Sequence, residues 1–91
     1  MKRIDKITVL SLGTTAKTVR ISGLACTVQN NSESASVYLK EKRYDGEDVT
    51  SDTGWVLAPG GELPFPLTAM ELSLVASAAD TDVRIMILDE D

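Results

Sequence analysis

Apolar residues recur at every second position in short runs along this chain, and each run stops at a strong turn signal. In residues 6–12, Ile7 and Val9 alternate against Thr8, Leu10 and Leu12, and Gly13-Thr14-Thr15 turns the chain. Residues 18–22 carry Val19 and Ile21 in phase, and Gly23 breaks the run. Leu24, Cys26 and Val28 then share one face of a segment that ends at Asn30-Asn31. Residues 36–43 put Val37 and Leu39 on one face and Tyr38, Lys40 and Lys42 on the other. Such period-2 alternation predicts half-buried antiparallel strands with one wet face.

The second half repeats the pattern. Asp45-Gly46 opens a polar loop that runs to about Asp52, and residues 53–57 set Trp55 in phase with Leu57. Pro59-Gly60-Gly61 is a turn that no strand interior contains. Residues 63–67 are interrupted by Pro64 and Pro66, which lack a backbone donor, so this piece belongs at a sheet edge or an irregular crossing. Leu72, Leu74 and Ala76 point inward from the next strand, and Ala79-Asp80-Thr81-Asp82 turns into residues 83–88. That last strand is apolar on both faces: Val83, Ile85 and Ile87 on one, Met86 and Leu88 on the other. It needs either a central place in a sheet or a neighbouring subunit to cover it. Residues 68–72, with Thr68 as N-cap and Glu71 three positions on, have a capping-box spacing for one helical turn at most. Segments of this length and spacing predict an all-β fold: an antiparallel β-sandwich, jelly-roll or immunoglobulin-like, of seven or eight short strands.

At 91 residues the chain makes a single domain, 1–91, with residues 1–6 a basic arm or an edge strand able to pair with a neighbour. A domain this small is of modest stability and often adds disulfides, metal or partner subunits. Cys26 is the only cysteine and histidine is absent, so neither a disulfide within the chain nor a metal clip is expected, and no cofactor. Oligomerisation is the remaining route. The apolar run after the basic start is too short for a signal peptide, and no window reaches the length of a membrane helix, so the expectation is a protein made in a cytoplasm, with no membrane partner.

The net charge of −5 argues against nucleic acid as a partner, since phosphate binding needs a Lys/Arg excess. The charge is also divided. Residues 1–45 hold eight Lys/Arg and four Asp/Glu; residues 46–91 hold one and ten. Either the two halves steer subunits together, or their strands interleave and the charges mix on one surface.

Nothing in the chain assembles into catalysis. Cys26 lies between Leu24 and Val28 with no histidine to activate it and reads as a small buried hydrophobe. The many Ser and Thr lack a base at a triad-like spacing, and pairs such as Ser11 or Ser36 with a lysine have no supporting pattern. Asp80 and Asp82 make a turn more simply than a calcium loop, which needs six to eight oxygens. Trp55, Tyr38 and Tyr44 are candidates for a sugar-stacking platform. Against that, Trp55 shares its phase with Leu57, which makes it a core or subunit-interface anchor. The expectation is a non-enzymatic protein that works by its surface, with Lys2, Arg3, Trp55, Met86 and Leu88 as candidate interface residues.

Four segments together resemble a module found in small structural proteins of tailed bacteriophages. They are Val37-Tyr38-Leu39; Thr53-Gly54-Trp55-Val56-Leu57-Ala58-Pro59-Gly60-Gly61-Glu62; Leu72-Ser73-Leu74-Val75-Ala76; and Thr81-Asp82-Val83-Arg84-Ile85. The resemblance covers residues 37–87; the extra Gly61 and the prolines after Glu62 depart from it. It implies a virion protein made in a bacterial host, most simply a capsid decoration or cement subunit. Such a subunit acts as a homo-oligomer, for instance a trimer, and binds the major capsid protein or another virion protein. The alternative is a carbohydrate- or receptor-binding β-sandwich of a fibre or cell-surface protein, with Trp55 and the tyrosines as its contact surface.

Overall fold

The structure is a computed structural model; it describes residues 2–42, 46–66 and 69–90, and for residues 2–5, 65, 89 and 90 the backbone alone. Eight strands follow in order: β1 (Lys2–Leu12), β2 (Lys17–Ser22), β3 (Ala25–Asn30), β4 (Val37–Glu41), β5 (Trp55–Leu57), β6 (Glu62–Pro66), β7 (Ala69–Ala76) and β8 (Thr81–Glu90). They form two antiparallel four-stranded sheets, here A with the order β1-β8-β3-β6 and B with the order β2-β7-β4-β5. The chain is therefore an all-β sandwich, and the strand order is that of an eight-stranded jelly roll rather than an immunoglobulin domain. Every connection crosses between the sheets except β4 to β5.

Alternation builds the core. Cys26 and Val28 from β3 and Val83, Ile85 and Ile87 from β8 face inward from sheet A. Ile21, Val37, Leu39, Leu57, Leu72, Leu74 and Ala76 meet them from sheet B. The last strand is apolar on both faces because it is central, between β1 and β3. Pro64 and Pro66 fall on the edge strand β6, where two prolines at alternate positions point their missing donors the same way, off the sheet. Residues 2–6, considered above as an arm or an edge strand, run as the first part of β1, with Lys2 opposite Glu90 and Arg3 opposite Asp89. A register irregularity falls between Ile4 and Lys6. The capping-box turn is not formed: residues 69–72 are strand, since Leu72 serves the core at period 2. Thr68 lies outside the described residues, as do Tyr44 and Asp45.

Two local features tie the sheets together. At Gly23, between β2 and β3, a Cβ would stand 2.7 Å from Ile87 Cγ2 and 2.9 Å from the Leu88 carbonyl oxygen, so the crossing needs glycine. Asn30 is fully buried at the end of β3. Its Nδ2 donates to the carbonyls of Ala35 (2.8 Å) and Leu57 (3.0 Å), and its Oδ1 accepts from the Ser32 amide (3.1 Å).

Candidate interaction surface

The outer faces of the two sheets differ. Over sheet B, the β4–β5 connection folds back: Val49 is buried, and its amide donates to Ser73 Oγ on the outer side of β7 at 3.0 Å. Gly54 lets this loop close, since a Cβ there would come within 2.9 Å of the Leu39 nitrogen and 2.5 Å of Val49 Cγ2. What remains on that side is a hydroxyl-rimmed hollow beside Tyr38, Thr50, Ser51 and Ser77. No described segment folds over sheet A in this way.

The register places the outward side chains of sheet A in rows across the strands. One row is Leu88, Ala25 and Pro66; the next is Ile7, Met86, Thr27 and Pro64. A third is Val9, Arg84, Gln29 and Glu62. Ser11 and Asp82 continue beyond it. Ile7 and Val9 are 57% and 59% exposed. The face thus grades along the strands from apolar to polar. At its polar end Asp82 accepts from Arg84 (Nη2, 3.0 Å) and from Asn31 (Nδ2, 2.9 Å). Those hydrogen bonds, Arg84's the larger, hold its carboxyl below the usual range.

Of the five residues expected at an interface, Met86 and Leu88 lie half-buried on this face. Lys2 and Arg3 pair by backbone at the opposite end of β1 from Asp82. Trp55 is elsewhere, on edge strand β5 of sheet B. The core alternative for Trp55 is corrected: it is 65% exposed. Being in phase with Leu57 does not bury it, because β5 is three residues long and Trp55 begins it at the edge of the sheet. It borders an open groove of about 310 Å³ with Leu39, Leu63, Met70 and Leu72, and with Lys40 and Glu41 at the rim. Ile7 and Val9 were missed as surface residues, because alternation separates two faces without saying which is inner.

Cys26 is 1% exposed, and burial pushes its thiol up to about 11. A thiol reagent is expected to label it only at the rate at which the native state opens; labelling at the speed of a free thiol would contradict its place in the core. Because the folded pKa is raised above the ordinary 9.0, the unfolded thiol ionises first. Stability linked to this group is complete below pH 9 and is lost as pH climbs towards 11.

The chain matches no family model, no curated protein and no solved structure.

Proposed function

We propose that this chain is a structural protein of a tailed-phage virion, a capsid decoration or cement subunit that binds the particle surface as a homo-oligomer. The observation that carries this reading is the outer face of sheet A, which no described segment covers and where Ile7, Val9, Met86 and Leu88 lie together on a small domain. Contiguous exposed apolar surface on a soluble protein marks an interaction site. The resemblance of residues 37–87 to phage structural modules supports the reading, and so does the jelly-roll strand order, which recurs in viral capsid domains but also in lectins. The test is add-back. Particles from a phage genome lacking this gene are mixed with the purified chain and sedimented. Saturable binding at a fixed ratio to the major capsid protein is expected; no binding at micromolar concentrations would contradict the proposal.

A second reading, a carbohydrate- or receptor-binding module, rests on one observation: the exposure of Trp55 beside its groove. Trp55 is the only tryptophan, so indole fluorescence reports this site alone. In the free protein its emission is expected to be that of a wet indole, quenched readily by iodide. Protection by added glycans would favour the second reading; an indole that stays wet with glycans and with bound capsids alike favours the first.

A further inference from the structure

The chemistry of the sheet A face selects its partner. Resting on the proposal that the chain acts as a homo-oligomer, we infer that the outer face of sheet A docks onto the same face of a second copy about a two-fold axis parallel to the strands.

Three features of the face lead there. First, in the two apolar rows β8 is a ridge of long side chains (Leu88, Met86), while β3 and β6 beside it present short or ring-shaped ones (Ala25, Thr27, Pro66, Pro64). A two-fold axis along the strands near β3 lays the ridge of each copy over the trough of the other. Second, such an axis keeps each row against the same row of the partner. Apolar rows meet apolar rows, whereas an axis across the strands would set Leu88 against the partner's Asp82. Sheets that pack face to face keep their strands within about 30° of parallel, which this axis satisfies. Third, the polar row then becomes complementary. Arg84, on β8, is brought over the partner's Glu62, on β6, and the reverse contact forms by symmetry. Within one copy these two residues stand on strands separated by β3 and hold other partners: Arg84 holds Asp82, and Glu62 accepts from Gln29 at 3.3 Å. Both are exposed, so each is free to take a second charge contact.

The size is adequate for a modest dimer. About this axis three strands of each copy overlap, β8, β3 and β6, while β1 lies at the margin. Three strands about 4.8 Å apart and three rows about 6.8 Å apart make a plane of roughly 300 Å² before the relief of the side chains is counted. Stable interfaces cover about 800 Å² on each partner, so the expected association is concentration-dependent rather than obligate.

Charge exchange tests the register. Arg84→Glu places Glu against Glu62 twice in a homodimer, and Glu62→Arg places Arg against Arg84 twice. Neither side chain touches the core, so both variants should fold. By sedimentation equilibrium, each variant alone is expected to dimerise at least tenfold more weakly than the wild type. An equimolar mixture of the two restores dimers, because both cross-contacts are then opposite in sign. A wild-type chain that stays monomeric to millimolar concentration overturns the inference. So does a trimer, an oligomer indifferent to both changes, or a mixture that fails to recover. Particle binding is measured in parallel. Dimers that ignore particles would refute the virion reading and leave the two-fold contact standing; particle binding without dimers would do the opposite.

Discussion

Asn30→Asp is expected to cost more stability than any other isosteric change in the molecule. The substitution keeps the acceptor for the Ser32 amide and removes the two donors that hold the Ala35 and Leu57 carbonyls. It also sets a carboxylate 2.8 and 3.0 Å from those oxygens in a site with no solvent exposure. A buried polar group left without its partner costs about 1–3 kcal/mol, and two are orphaned here, so a loss of about 3 kcal/mol or more is expected. That is a large share of the ~5–15 kcal/mol available to a small domain. At about 4–8 °C per kcal/mol, the melting temperature should fall by about 15 °C. The variant's own pH dependence supplies a check. Burial raises the pKa of the new acid in the folded state, so the folded protein tolerates it best when protonated. Its deficit relative to the wild type should grow as pH rises from about 4 through that raised pKa. A melting temperature within a few degrees of wild type at pH 7 would show that the junction of β3, β4 and β5 does not depend on Asn30.

The second large effect concerns assembly. Met86 sits at the middle of the sheet A face, with Ile7 on one flank and Thr27 on the other. Met86→Asp should leave the fold close to wild type, since the side chain is on the outer face and only half-buried. It should dissociate the oligomer and abolish particle binding, because an unpaired charge would have to enter a dry contact. Losing an unsatisfied charge's hydration in that contact costs several kcal/mol, which corresponds to a weakening of two or more orders of magnitude. Size by light scattering and thermal melting together separate the two roles. A variant that associates as the wild type does would put the contact elsewhere, for instance along the open edge of β1.

Much of the fold was legible because burial imposes period 2. Cys26 and Val28, Val37 and Leu39, and Val83, Ile85 and Ile87 all face the core as their spacing predicts. The place of β6 was legible for a different reason: proline cannot donate to a second neighbour, so Pro64 and Pro66 left only a sheet edge or an irregular crossing, and the edge is what forms. The strand order was not legible, because it rests on pairings between residues as far apart as Ile7 and Met86. In the sequence Asn30 marks only the end of the third segment. Its role depends on the Leu57 carbonyl arriving from β5, which nothing local announces. The openness of sheet A was also hidden. It follows from where the β4–β5 loop settles, with Val49 on Ser73, so that among the described residues one sheet is covered and the other is not. Trp55 shows the converse limit: a correct phase with Leu57 did not bury it, because a strand of three residues at a sheet edge has little above it to pack against.

The central claim is that the outer face of sheet A is the working surface, and hydrogen exchange on the assembled state tests it most directly. Amides of β1, β3, β6 and β8 are compared between the chain in solution at low concentration and the chain bound to particles lacking their own copy. Protection gained along β8 and its neighbours, with sheet B unchanged, is the expected result. Protection confined to β4 and β5 around Trp55, with the other strands unchanged, would contradict the account and move the working surface to the groove beside Trp55.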